Sequence, residues 1–133
     1  MDFIPGIGAT AGGLDAQRTR LEVIAQNLAN IHTTKTADGG PYQRQIVNFV
    51  EALDATGNPS VKVDSVTRDP QPGAARFDPS HPHADENGQV QMPNVSLSHE
   101  MVDMLSASRA YEANLSAAKT SRSLAQKALE IGR

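Results

Sequence analysis

The stretch from Asn94 to Ile131 contains neither proline nor glycine, and Ala, Ser, Leu, Lys and Glu dominate it. It predicts one helix of more than 30 residues, on the order of 50 Å long at 1.5 Å per residue. Ser96 or Ser98 is placed to cap its start, Glu100 lies in the first turn, and Gly132 ends it. A helix about three times the usual length needs a partner along its whole extent.

Its apolar pattern indicates what kind of partner. Positions 97, 101, 104, 108, 111, 115, 118, 122, 125 and 129 alternate steps of four and three and read Leu, Met, Met, Ser, Tyr, Leu, Ala, Arg, Ala, Leu. This is a heptad seam, and Ser108, Ala118 and Ala125 are small enough to let a neighbouring backbone approach closely. Val102, Leu105, Leu124 and Ile131 lie beside the seam and widen the apolar face.

The N-terminal residues carry a matching pattern: Ile4, Ile7, Ala11, Leu14, Arg18, Leu21, Ala25 and Leu28. Two heptad segments at opposite ends of a chain suggest an antiparallel helix pair. The N-terminal one contains Gly6, Gly8, Gly12 and Gly13, each costing roughly 1 kcal/mol against Ala in a helix. It is expected to be firm only when packed, and to end at Asn30 as a left-handed C′ residue.

Residues 36–93 are proline-rich and carry eight acidic and four basic side chains. "YQRQIVNFV" and "VKVDSV" read as short strands around the turn "ATGNP". "PQPGAARFDPSHPHADENG" reads as loop and "QVQMP" as one more short strand. The expected fold is therefore mainly α. An N-terminal helix (residues 1–35) and a C-terminal helix (94–133) pair as an antiparallel coiled coil, with an extended, acidic β/loop insertion (36–93) between them.

Leu, Ile, Val and Phe number only 27 of 133 residues, and there is no Trp. So little apolar area barely offsets the entropy of ordering the chain, which argues against a large private core. A net charge of −3 without a basic block argues against nucleic acid, and zero cysteines excludes disulfides and thiolate metal sites. Neither a secretory signal nor a transmembrane run is visible, so the chain is either cytoplasmic or exported without a cleaved signal.

Candidate chemistry is thin. His81, His83, Asp85, Glu86 and His99 invite a metal reading, but Pro79 and Pro82 interrupt the stretch, and a solvated loop is preferred. Asp78, Asp85 and Glu86 as paired carboxylates fail similarly, because no apolar surroundings would raise a pKa. The glycines precede no Gly-Lys-Ser/Thr, and no nucleophile elbow occurs. No catalytic site, cofactor or metal is expected.

Several segments resemble the flagellar basal-body rod proteins. They are "LDAQRTRLEVIAQNLANIHTT", "PYQRQIVNF", "DPSHPHAD", "MPNV" and "EMVDMLSASRAYEANLSAAKTSRSLAQKALEIGR". "NLAN", Asn27 to Asn30, looks like the signature shared across rod and hook proteins, and the other motifs look like a proximal-rod member. Gly88-Gln89-Val90 departs from the family's usual Gly-Tyr-Val.

The resemblance implies a structural subunit, not an enzyme, exported by the flagellar type III machinery and built into the periplasmic rod that drives the hook. Its partners would be other rod subunits, copies of itself, the export machinery and membrane-ring or rod adaptor components. The assembly interface is expected to use Leu14, Leu21, Leu28, Asn27, Asn30, Met101, Met104, Ser108, Tyr111, Leu115, Ala118, Ala125 and Leu129. Glu100, Arg109, Glu112 and Asn114 are its expected polar contacts. Its terminal helices would be disordered in the monomer and gain order on polymerisation. The alternative is a cytoplasmic helical adaptor dimerising through its C-terminal coiled coil.

Overall fold

A computed structural model describes residues 6–133. Helix α1 spans Ile7–Ala29. A hairpin of β1 (Gln45–Leu53) and β2 (Pro59–Arg68) follows, then a second, smaller pair of β3 (Ala75–Phe77) and β4 (Gln89–Gln91), and finally helix α2 (Leu97–Ile131). Ile4, which the heptad pattern placed on the seam, lies outside the described residues.

The two helices lie side by side and antiparallel. Asn27 near the end of α1 bonds Glu100 near the start of α2, and Gly13 faces Asn114. In this register α1 begins level with about residue 120. The last turns of α2 therefore run roughly 16 Å past that point. The register is polar at one end and small at the other, so hydrophobicity alone does not set it.

β1 and β2 pair antiparallel from Gln45↔Arg68 to Leu53↔Pro59, with a bulge where Asn48↔Ser65 gives way to Phe49↔Val63. β2 also lies along α1, and the α1 glycines permit this. A methyl group on Gly12 would overlap the Ser60 hydroxyl and come within 2.8 Å of the Val61 carbonyl oxygen, and one on Gly13 would come within 2.9 Å of Asn114 Nδ2. These glycines cost helix propensity, but they are also the surface on which the hairpin and α2 rest.

β3 forms inside the stretch expected to be loop. It pairs from Ala75↔Gln91 to Phe77↔Gln89, and three residues bounded by prolines are too few for an alternating pattern to be legible. Asn30 also departs from expectation. It holds φ −104° and ψ 14° rather than a left-handed conformation, and its side-chain Nδ2 donates to the Gln26 carbonyl at 2.8 Å. The Gln26 carbonyl also accepts the Asn30 backbone N–H at 3.1 Å, so the side chain adds a second bond to the same helix-end acceptor. Ser96 begins α2 without capping it, its hydroxyl lying 3.2 Å from that of Ser98.

The core is small. Ala16, Val23, Ile24, Val90 and Ala107 are its buried apolar members, joined by the buried polar residues Asn27 and Glu100. Thirteen large apolar side chains among the described residues are exposed instead. The chain presents 9134 Å² to solvent, against roughly 6,800 Å² for a compact protein of its mass. An excess of this size with so many apolar side chains in it marks surfaces made for contact.

Candidate assembly surface and its internal anchor

The densest polar site joins the end of α1, the segment before β1, and the start of α2. Asn27 is 1% exposed and Glu100 fully buried. Asn27 Oδ1 accepts from the Tyr42 hydroxyl at 2.8 Å and the Gln45 backbone N–H at 2.9 Å. Its Nδ2 donates to the Gln45 carbonyl at 3.0 Å and to Glu100 Oε2 at 3.2 Å. The amide is fully satisfied and engages both backbone groups of Gln45, as a neighbouring strand would.

Arg44 completes the site. Its Nε donates to Glu100 Oε1, and its Nη2 lies 3.0 Å from Asp103 Oδ2, while Arg20 reaches the other Asp103 oxygen at 3.6 Å. Burial opposes the Arg44 charge, but Glu100, then Asp103 and Asp69, outweigh it and hold the guanidinium pKa above its ordinary value. Burial pushes the Tyr42 phenol up, and the negative Glu100 adds to that, while Arg68 works the other way.

Asn94 grips the same dipeptide from the opposite side. Its Oδ1 accepts from the Arg44 N–H at 2.6 Å, and its Nδ2 donates to the carbonyls of Asp69 and Gln71 at 3.1 and 2.7 Å. Two asparagines therefore clamp residues 44–45 between the helix ends. A network this completely paired fixes one arrangement, because each partner left alone would be a buried, unsatisfied group.

Four aspartates in the acidic middle segment act locally. Asp54, Asp69, Asp78 and Asp85 each accept a backbone N–H two residues on, from Thr56, Gln71, Ser80 and Asn87. Such turns need a short side-chain acceptor, which explains the composition better than a merely solvated loop. His83 Nδ1 lies 2.7 Å from the Thr34 hydroxyl, and His81 Nδ1 accepts from the His83 N–H. Among the described residues no group of three His, Cys, Asp or Glu is placed to hold a metal ion.

The inward face of α2 is rotated from the seam read off the sequence. Glu100, Met104, Ala107, Tyr111, Asn114, Ala118, Ser121 and Ala125 are its buried or half-buried heptad positions. Four coincide with the seam and four lie one residue earlier. Met101 consequently points outward, with Arg109 and Glu112, while Ser108 and Leu115 are half-buried at the edge. Leu97, the first residue of α2, and Leu129, past the start of α1, are exposed at the ends of the helix pair. On α1, Leu14, Leu21, Leu28 and Asn30 are half-buried, and Ala16, Val23, Ile24 and Asn27 take the interior. Sequence reasoning assigned no role to Tyr42, Arg44, Asn94 or Asp103. Arg44 and Asn94 stand inside the "PYQRQ" and "MPNV" motifs, the one signal that pointed to them.

Comparison with known proteins places this arrangement. Residues 9–35 match the family model described as flagella basal body rod protein, and residues 86–131 match that of the flagellar basal body rod FlgEFG protein C-terminal region. A flagellar basal-body rod protein FlgC from Borreliella burgdorferi is 40% identical, covering 98% of this chain and 98% of its own. The chain belongs to the FlgC family of flagellar basal-body rod proteins. The FlgC of Salmonella typhimurium is 42% identical over 90% of both chains, and that of Bacillus subtilis is 35% identical over the full length of both. This FlgC-family chain is thus a structural subunit of the flagellar basal-body rod, and the adaptor reading is not favoured. Both family matches contain one side of the anchor: Asn27 falls in the first, and Asn94, Glu100 and Asp103 in the second.

Proposed function

We propose that this subunit polymerises with other rod subunits and with copies of itself into the helical shaft that transmits torque to the hook. Residues 1–35 and 94–133 form its rod-core part, an antiparallel coiled coil in the assembled shaft, and residues 36–93 reach neighbours. The observation that carries this reading is that, among the described residues, thirteen large apolar side chains are exposed around a core of five apolar residues. Neighbouring subunits supply the missing contacts, and heterologous contacts whose rotation does not close produce a helix rather than a ring.

Delivery is by type III export without a cleaved signal, into the periplasm, where the subunit meets membrane-ring and rod adaptor components. A small core suits a chain that must thread a conduit unfolded. The start of α1 and the last turns of α2, loosely held in the monomer, become ordered on polymerisation.

The interface includes Leu14, Leu21, Leu28, Met101, Met104, Ser108, Tyr111, Leu115, Ala118, Ala125 and Leu129, with Arg109, Glu112 and Asn114 as polar contacts. Asn27, Asn30 and Glu100 support it from within the subunit. The experiment is complementation of a deletion strain with Leu28→Asp and Ala118→Leu. Both are expected to be exported at near-normal levels yet to leave cells non-motile. Normal swimming by both variants would refute the assignment.

A further inference from the structure

Among the exposed apolar side chains, two groups lie at opposite ends of α1. At the start of α2, Leu97, Met101 and Leu105 stand four residues apart on one helical face, each more than half exposed. At the other end, Phe49, Val50, Pro59, Val61 and Ala9 line a groove of about 370 Å³ between the hairpin and the first turn of α1. Ala9 and Asn27, which mark the two ends on α1, are separated by roughly 27 Å along the helix. One patch is a ridge and the other a hollow.

Their charges are complementary. Glu51 is the one charged residue lining the groove, and it is exposed. The first turn of α2 has no side-chain cap, so its backbone N–H groups and the positive end of its dipole lack a counter-charge on the outer side. The two nearby acids do not supply one, since Glu100 is buried against Arg44 and Asp103 is taken by Arg44 and Arg20.

We infer that the Leu97–Met101–Leu105 ridge of one copy seats in the Phe49–Val61 groove of a second copy, with Glu51 facing the uncapped start of α2. The inference rests on the rod-subunit reading and gives one of its contacts two named sides. Because ridge and groove are different surfaces at opposite ends, the contact is heterologous. It leaves a free groove and a free ridge after every addition, as an open filament requires.

The chain has no cysteine, so engineered thiols report the contact without background. Two singly substituted copies, Val61→Cys and Met101→Cys, carrying different tags, are expressed together in a flagellated strain lacking its own gene. Basal bodies are then oxidised and run without reductant. A disulfide-linked dimer containing both tags, absent when either variant is expressed alone, is the expected result. A dimer from Met101→Cys alone would mean a like-with-like contact and would overturn the inference.

Monomer only, in cells that swim, would also overturn it while leaving the rod-subunit reading intact. That reading fails separately, if deleting the gene leaves motility unchanged. Phe49→Cys with Leu97→Cys provides an independent pair. Should a cysteine block assembly, the same mixing is done with purified chains at high concentration, and the same outcomes apply.

Discussion

The two ends of the subunit are held together by opposite means. Where α1 finishes and α2 begins, a closed polar network of Asn27, Tyr42, Arg44, Asn94, Glu100 and Asp103 fixes the chain beside the buried Val23 and Ile24. Where α1 begins, glycine lets the hairpin lie against the helix backbone, and α2 runs on with Leu124, Leu129 and Ile131 exposed. The first end closes its buried contacts within one chain and keeps Leu97, Met101, Val102 and Leu105 on its outer face, while the second has few buried contacts and waits for more from outside. A polar network suits the first role because it accepts one geometry only, and an apolar surface suits the second because its contacts are not directional.

The sharpest way to break this contrast is to strand the buried carboxylate. Arg44→Leu leaves Glu100 without its charge partner at a fully buried position. Removing one member of a buried pair costs about 3–5 kcal/mol. Urea unfolding of the purified chain should show a loss of that order. A loss under 1 kcal/mol would mean that the network is not what holds this end.

The contrast also explains which parts of the molecule the sequence made legible. Helix α2, the hairpin and the antiparallel arrangement follow from proline-free length, β-branched runs and paired heptads. The anchor did not follow, because a hydrophobic count treats Asn27 and Glu100 as surface residues. Nothing in the spacing says that residues 27, 44, 94 and 100 meet. The rotated face of α2 has the same cause, since polar and small side chains, Glu100 and Ala107 among them, occupy the interior while Met101 and Leu105 are left outside. β3 was missed for want of length. The glycines of α1 were read for their cost to the helix and not for the close approach they allow.

Gly12→Ala tests the far end. The added methyl meets the Val61 backbone carbonyl, which cannot swing aside as a side chain can. Overpacking of this kind costs about 1–3 kcal/mol, partly offset by the better helix propensity of alanine. Hydrogen exchange should show β2 amides losing protection while Gln45 and the anchor keep theirs. Equal loss at both ends would erase the distinction drawn between them.

Acid should act on the hairpin tip in the same selective way. The Thr56 hydroxyl, then the backbone N–H groups of Asn58, Thr56 and Gly57, hold the Asp54 carboxyl below its ordinary value of 3.8. A depressed carboxylate contributes stability that is fully present above the unfolded value and lost as pH falls through the folded one. The turn at residues 54–58 should therefore be unaffected from neutral pH to about pH 5 and loosen below about pH 4. Thr56 and Asn58 amide shifts in an NMR titration would follow it. Asp54→Ala should show the loosened shifts at neutral pH and no further acid transition there.

The smallest effect on the isolated chain should come from the surface that matters most once subunits meet. Leu124 is 63% exposed, and substitutions at exposed sites away from caps and networks usually change stability by no more than about 0.5 kcal/mol. Leu124→Ala should leave the unfolding curve where it was, yet reduce swimming, because the lost apolar area is area a neighbour would have covered. The paired measurement separates the two ends cleanly: Arg44→Leu is read in the monomer, and Leu124→Ala only in the cell. A Leu124→Ala chain that swims normally would show that this stretch of α2 stays exposed in the rod, and the unfinished end would then shrink to the hairpin groove.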